Sequence, residues 1–398
     1  MVRYPPPARA ANRDPGVDVT SRQARRAHEA RRRRSRRRWT TIALAGVVGV
    51  AIAAVGLSSC GGGGEESAST KKKDAPTTLP TTTTTVFVPT APFTGLPDPS
   101  GVTQTRASLA VKIENTPDAR PQSGLDQADV VYEEVVEGGI TRFWAVFNTV
   151  APDTVGPIRS VRLMDPEIVS PLGGVIAFSG GAPANVALIR DTPTVQVDEN
   201  NAGDAFFRAT DRYAPHNLYG YSAKLWERGG EPVPPRPLFT YLKEGEAFPS
   251  TEGINQFRVG LDSGYDPTYT WDPATRTWRR SYGTVPFNDV NGNQVAPQNV
   301  IVQFVYYPTG AEGQLIGTGE AWVFSDGKLV RGTWSKPDAV TPTSFNFGLG
   351  ATVPLTPGKT WVELAPTGTA VDLVAAPPPP PTTIPPATTT TTKPKKKK

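Results

Sequence analysis

Alternating and continuous apolar runs in the middle of the chain predict β-strands in both of its halves. In the first half the runs cover residues 108–115, 128–138, 141–149 and 173–181, and in the second half 268–283, 298–307, 319–336 and 359–366. Helical patterns are fewer, at residues 160–170, 183–191 and 221–230. The pattern predicts an α+β fold, with a mixed α/β N-terminal domain at 91–235 and a mainly antiparallel β C-terminal domain at 236–375.

Both ends of the 398-residue chain depart from this globular pattern. Residues 1–39 are rich in arginine, residues 40–59 are apolar and uncharged, and residues 60–90 are rich in Gly, Thr and Pro. Residues 376–398 form a second Pro/Thr-rich stretch that ends in lysines. The compositions of 60–90 and 376–398 are those of tethers and disordered tails, because such segments bury too little apolar surface to fold.

The single cysteine, Cys60, stands directly after the apolar segment in "LSSCGGGG". A basic stretch followed by an apolar one is typical of a secretory signal peptide. The sequence Leu57-Ser58-Ser59-Cys60 resembles the bacterial lipobox, which implies lipid attachment to Cys60 and cleavage before it. The alternative is an uncleaved single-pass signal anchor. Both place the rest of the chain on the extracytoplasmic face of the cell membrane, since the arginine-rich segment stays inside.

The net charge of +5 is unevenly distributed, because basic residues gather at both ends and leave an acidic body. An acidic body argues against nucleic acid as a partner. With two histidines and one cysteine in the chain, the usual zinc sites and cysteine nucleophiles have no basis. Walker and Gly-x-Ser-x-Gly motifs are lacking from the sequence. We therefore predict no metal and no cofactor.

Three arginines are candidates for binding an anion. Arg159 and Arg162 lie three residues apart in "GPIRSVR", where a helix starting here would place both guanidinium groups on one face. Arg142 follows the turn in "VVYEEVVEGGITR". Arginine binds phosphate and carboxylate groups through paired N–H donors. The competing interpretation is that these arginines form ordinary ion pairs with the acidic body.

Four further residues form a candidate polar pocket. On a strand, Glu133 and Glu137 would share a face and could hold a hard cation or act as acid and base. His216 and Asn217 in "RYAPHNLYG" add the extracytoplasmic histidine and a neighbouring amide. The alternatives are a solvated face, in which Glu137 pairs with Arg142, and a structural, hydrogen-bonded histidine.

Several of the quoted motifs together resemble one family. "AVKIENTPDARPQSGLDQADVVYEEVVEGGITRFWAVF", "VGPIRSVR" and "APHNLYG" are similar to the YerB-like lipoproteins of Gram-positive bacteria, and "GTGEAWVFSDGKLVRGTWSK" resembles their C-terminal half. The resemblance covers roughly residues 107–366. It implies two domains of unknown function and a lipoprotein, and it implies no catalytic activity. The long basic leader and the lysine-tipped tail depart from the simpler members.

Two functions remain open from the sequence. The first is a non-enzymatic cell-envelope module that is anchored in the membrane and binds a wall polymer or an envelope protein. Aromatic residues of the second half would either stack on sugars or form core: Tyr269, Trp271, Trp278, Trp322, Trp334 and Trp361. The second is an envelope enzyme that acts on a phosphorylated glycan or polyprenyl carrier, with arginines holding the phosphate. The sequence favours the first, because it lacks a recognised catalytic motif.

Overall fold

The computed structural model describes residues 88–229, 234–261 and 266–377. Cys60, the predicted signal segment, nearly all of the predicted N-terminal tether and the end of the tail lie outside these residues. The described part is mostly β. Its α-helices are α1 (Val102–Thr105), α2 (Asp165–Val169), α3 (Pro183–Arg190) and α4 (Ser222–Glu227).

The strands agree with most of the predicted apolar runs. Those of the first half are β1 (Leu109–Glu114), β2 (Val130–Val135), β3 (Thr141–Phe147), β4 (Thr154–Val155), β5 (Val175–Ala177), β6 (Val195–Val197), β7 (Phe206–Arg208) and β8 (Leu218–Tyr221). Those of the second half are β9 (Ile254–Val259), β10 (Pro267–Asp272), β11 (Thr277–Tyr282), β12 (Val285–Pro286), β13 (Asn299–Val305), β14 (Gly317–Ser325), β15 (Lys328–Lys336), β16 (Ser344–Phe347), β17 (Ala351–Thr352), β18 (Thr360–Pro366) and β19 (Val371–Ala375).

One sheet of eleven strands draws on both halves of the chain, in the order β17-β16-β15-β14-β13-β18-β2-β3-β1-β5-β6. The junction is β18, which pairs in parallel with β13 on one side and with β2 on the other. The central strands are buried along their whole length, as expected of strands that are covered on both faces. The predicted domain boundary at residues 235–236 therefore lies between segments that contribute strands to one common sheet.

The two faces of this sheet are covered differently. A five-stranded sheet, β12-β11-β10-β9-β19, covers what we call face 1, where Phe257 stacks on Phe324 with ring centroids 3.6 Å apart. The helices α2 and α3 and the connecting loops cover face 2, where Trp144, Ile168 and Ile189 belong to one buried cluster. A three-stranded sheet, β4-β8-β7, contributes Val155, Phe206 and Leu218 to the buried cluster of face 1.

The predicted fold class holds only in its coarse form. The chain has large sheets and short helices, and a mixed α/β N-terminal domain is not confirmed. The helix predicted over 160–170 is limited to Asp165–Val169, and the segment Arg159–Val161 is not helical. It instead continues the edge of the sheet region, because the N–H of Arg159 donates to the carbonyl of Lys112 at 2.9 Å.

Candidate functional site

A row of three ionisable side chains crosses face 2 near the end of its central strands. Glu114 of β1, Arg142 of β3 and Glu134 of β2 are register partners, so they lie side by side. Their exposed fractions are 1 %, 4 % and 0 %. Buried ionisable groups require partners, because leaving water costs each charge several kcal/mol. The row is therefore where the chemistry of this face is concentrated.

The loop that contains Gly156 runs beside β1, at the Glu114 end of this row. Ile158 bridges to Ile113 of β1, which fixes the loop against the sheet. Gly156 has φ 147°, and a Cβ there would come within 2.9 Å of the Leu218 carbonyl oxygen, so the close approach requires glycine. The loop brings the side chain of Arg159 next to Glu114 and that of Arg162 next to Arg142.

Arg142, Arg159 and Arg162 come together here, and we call them the arginine cluster. Arg142 Nη1 and Arg162 Nη1 both donate to the Ser160 carbonyl, at 3.0 and 3.3 Å. Arg159 Nε lies 3.3 Å from Glu114 Oε2. The structure thus assembles the three arginines singled out in the sequence, although it does so through a strand and a loop rather than through a helix.

Arg142 is the buried centre of the cluster. Burial lowers its pKa to about 10, and the positive charges of Arg162 and Arg159 act in the same direction, against Glu134 and Glu137. Its Nε has no hydrogen-bond acceptor among the residues that the structure describes. A buried donor without an acceptor is unfavourable, and so is a positive charge close to other positive charges. An anion bound here would accept from the donor and offset the repulsion.

A carboxylate–histidine pair forms the wall beside Arg159. His216 Nδ1 lies 2.9 Å from Glu114 Oε2, and a carboxylate at this distance accepts a hydrogen bond from Nδ1–H. Thr116 Oγ1 donates to Glu114 Oε1 at 2.9 Å. The His216 side chain is 22 % exposed, whereas Glu114 is almost completely buried. The pair orients the imidazole, which is the arrangement that proton transfer requires.

Lys112, Glu134 and Asp165 form a fully buried triad next to the cluster. Lys112 Nζ donates to Glu134 and, at 2.8 Å, to Asp165, which also accepts from the Trp144 indole at 2.8 Å. Burial, followed by the charge of Asp165, raises the pKa of Glu134 to about 8. This environment favours the protonated form of Glu134, in which the single charges of Lys112 and Asp165 compensate each other. In that form Glu134, one of the two neighbours of Arg142 in the row, supplies no full negative charge to balance the guanidinium group.

The predicted polar pocket does not form. Strand β2 ends at Val135, so the period of two no longer relates Glu133 to Glu137, which lies in the following turn and bonds Arg162 Nε at 2.7 Å. Glu133 points to face 1. Asn217 follows His216 in the chain, but its side chain bonds Arg208 and the Ala209 carbonyl. Of the four residues, His216 and Glu137 border the arginine cluster, on different sides.

Glu133 instead belongs to a closed polar network between the two sheets. It bonds Arg280 at 2.7 Å, and Tyr269 donates to Glu363 at 2.6 Å. Burial raises the pKa of Glu363, as does the charge of Glu133, and Arg280 lies 4.2 Å from the centroid of the Phe287 ring. Glu133, Arg280 and Tyr269 are at most 1 % exposed, so this network stabilises the core and is closed to ligands.

The aromatic residues considered for sugar stacking are mainly core. Tyr269, Trp278, Trp334 and Trp361 are at most 2 % exposed, whereas Trp271 and Trp322 are partly buried against the same core. The part of the chain that the structure describes contains no group of three or more His, Cys, Asp or Glu side chains that could hold a metal ion. Among those same residues, no helix is long and apolar enough to cross a membrane.

Sequence reasoning missed Glu114, Lys112, Glu134 and Asp165 as parts of this site. The signal for the first two lies in "AVKIEN", where ionisable residues occupy alternate positions of an apolar strand that the structure buries completely. Alternation places Lys112 and Glu114 on one face. The sequence provides no comparable local signal for Asp165, whose role depends on the packing of α2 against face 2.

Comparison with known proteins identifies relatives that span most of the chain. Residues 93–231 match the N-terminal domain, and residues 257–362 the C-terminal domain, of a family described as proteins of unknown function (DUF3048). YerB of Bacillus subtilis (strain 168), which is named as a candidate lipoprotein, is 30 % identical over 292 residues, covering 69 % of this chain and 86 % of YerB. The crystal structure of B. subtilis YerB is similar with a TM-score of 0.62 and 26 % identity, covering 71 % of this chain and 99 % of that one.

Proposed function

Because the chain belongs to the DUF3048 family of YerB-like lipoproteins, we propose that it is a membrane-tethered module whose folded body binds an anionic group of a cell-envelope component. The binding site in this proposal is the arginine cluster. The anchor at Cys60 and the binding site on face 2 are supported by separate observations.

The anchor is supported by the lipobox-like sequence at Cys60 and by the lipoprotein assignment in the name of the B. subtilis relative. Each acyl CH₂ buried in a bilayer contributes about 0.8 kcal/mol, so two acyl chains retain a protein durably. Residues 61–87, rich in Gly and Thr, would then separate the bilayer from the folded body. This arrangement would hold face 2 within reach of envelope polymers.

The observation that carries the binding site is Arg142. It is 4 % exposed, its Nε lacks an acceptor among the described residues, and two other arginines lie next to it. The rim arginines Arg159 and Arg162 keep 22 % and 15 % of their side chains exposed, so an anion has access to the cluster from solvent. A buried arginine with a lowered pKa that adjoins two partly exposed arginines is typical of a binding site.

Titration calorimetry of the purified full chain in detergent with sulfate tests this function. We expect Arg142→Met to weaken sulfate binding at least tenfold, because it removes the central donor and keeps an apolar stem of similar length. Arg162→Gln, a change at the exposed rim, covers the case in which Arg142→Met folds poorly, and we expect it to weaken binding several-fold. Arg331→Ala serves as the matched control. Arg331 is an exposed residue of β15, five strands away from β3 in the sheet, and it pairs with Glu252. Equal binding by all four chains contradicts the proposal.

The Glu114–His216 pair favours a second candidate function, an envelope enzyme that acts on a phosphorylated glycan or polyprenyl carrier. In that function the arginine cluster would hold the phosphoryl group, and His216, oriented by Glu114, would transfer the proton. The two functions separate on turnover. A binding module keeps its ligand intact after prolonged incubation, whereas an enzyme releases product and loses that activity in His216→Ala.

A further inference from the structure

The charges around the arginine cluster do not balance. The three arginines face two carboxylates that bond them, Glu114 and Glu137. Asp165 and Glu134 both bond Lys112 instead of an arginine, and burial raises the pKa of Glu134 to about 8. His216 and Asp118 lie at the rim, with His216 Nε2 3.9 Å from the Asp118 carboxylate. The cluster thus has an excess of one positive charge while Glu137 is bonded, and of two once Glu137 leaves.

The two carboxylates differ in how firmly they are held. Glu114 is on a central strand, is 1 % exposed and also binds His216 and Thr116. Glu137 is in a three-residue turn whose two glycines, Gly138 and Gly139, have φ 76° and 69°. Its side chain is 64 % exposed. Glu114 is therefore a fixed partner, whereas the carboxylate of Glu137 can rotate into water and leave Arg162 Nε free to donate to a ligand.

We propose that the arginine cluster binds a dianionic phosphate monoester, and that Glu137 is a removable counter-ion that leaves Arg162 when the ligand enters. This inference rests on the proposed anion-binding function. A dianion matches the two positive charges that remain after Glu137 departs, and it has enough oxygens to accept from Arg142 Nε and from the rim arginines together. A phosphodiester carries one charge and would leave the cluster positive.

The test compares ligands by calorimetry on the full chain in detergent. Inorganic phosphate supplies the anion alone, α-glucose 1-phosphate represents a glycan source, and mixed detergent micelles that contain phosphatidic acid represent a lipid source. Dimethyl phosphate, a monoanion, is the control ligand. We expect phosphate and at least one monoester source to bind tenfold or more tightly than dimethyl phosphate. Between pH 5.5 and 7.5 the affinity for α-glucose 1-phosphate should rise, because the second pKa of a phosphate monoester is about 6.

Two variants test the counter-ion. We expect Glu137→Gln to raise phosphate affinity about tenfold, because the ligand no longer displaces a carboxylate from Arg162. Asp118→Asn is the matched control: it removes an equal charge at an 80 % exposed position near His216 without touching Arg162, so its effect should be much smaller. Equal gains in both variants, or none in Glu137→Gln, overturn the inference. Equal affinity for phosphate and dimethyl phosphate overturns it too and leaves the anion-binding function standing, whereas a chain that binds neither phosphate nor sulfate refutes both.

Discussion

Adjacent residues of one strand serve two separate polar networks. Glu133 and Glu134 are neighbours in β2, yet the first pairs with Arg280 on face 1 and the second with Lys112 on face 2. Each network holds a further acid, Glu363 on face 1 and Asp165 on face 2, so acids outnumber cations in both. Burial and the second acid raise the pKa of Glu134 and of Glu363, which keeps each buried network close to neutral.

The raised pKa of Glu134 makes the free energy of unfolding depend on pH. The pKa of Glu134 is about 8 in the folded state and 4.5 as the ordinary value, so between these values the folded chain binds more protons than the unfolded one. The free energy of unfolding should therefore fall as pH rises from about 5 to 8, at roughly 1 kcal/mol per pH unit for this group. Glutamine resembles the protonated acid and does not titrate. We expect Glu134→Gln to flatten this slope, as measured by urea unfolding at several pH values.

Glu252→Gln is the control for this prediction, because Glu252 is an exposed acid that pairs with Arg331. Glu363→Gln should flatten the slope as well, since the pKa of Glu363 is raised by the same kind of burial. A Glu134→Gln chain that keeps the full wild-type slope would show that Glu134 is ionised in the fold. The charge excess assigned to the arginine cluster would then be wrong.

At the scale of elements, the β14–β15 hairpin shows how one turn residue connects the two sheets. Asp326 and Gly327 both have positive φ, 51° and 68°, as in the tight turns that join antiparallel strands. A Cβ on Gly327 would lie 2.8 Å from Nε1 of Trp271, which belongs to the five-stranded sheet. Gly283 has a similar φ of 56° but nothing within 4 Å of the added Cβ.

The pair allows backbone strain to be separated from packing. We expect Gly283→Ala to cost about 1 kcal/mol of the free energy of unfolding, from the left-handed backbone alone. Gly327→Ala should cost more, about 2–3 kcal/mol, because Trp271 must also move. Chemical denaturation of both variants measures the difference. Equal costs would show that Trp271 shifts freely and that the contact between the sheets at this turn is loose.

The length of a strand determined whether it could be predicted from the sequence. The long strands, such as β3, β13 and β15, alternate or stay apolar over seven to nine residues and were predicted. Strands such as β6, β7 and β17, of two or three residues, are too short to show a period of two. The helix expected to carry Arg159 and Arg162 was wrong, because hydrogen bonds to β1, which are distant in sequence, hold that segment extended.

At the scale of the whole molecule, the order of the large sheet could not be predicted from the sequence. Placing β18 beside β2 joins residues more than two hundred positions apart, and the sequence pattern does not name a strand's partner. The same is true of the site. The three arginines were predicted as one anion-binding set, whereas the buried partners that determine its charge come from the pairing of β1, β2 and β3 and from α2.

The proposed anchor is also a property of the whole molecule. We expect the native chain to fractionate with membranes and its mature N-terminal peptide to begin at an acylated Cys60, because two acyl chains suffice for durable attachment. Cys60→Ala should remove the acyl mass and prevent cleavage at that position. Mass spectrometry of the membrane fraction measures both. A mature chain with an unmodified Cys60 and its arginine-rich leader still attached would favour the signal anchor instead.

The most direct test of the central claim is diffraction from crystals of this protein soaked in selenate, an oxyanion that the selenium edge locates unambiguously. We expect an anomalous peak within hydrogen-bonding distance of Arg142 Nε, flanked by Arg159 and Arg162, with Glu137 turned away from Arg162. Well-diffracting crystals that show selenate only elsewhere, with Glu137 still bonded to Arg162 and the arginine cluster unchanged, would contradict it.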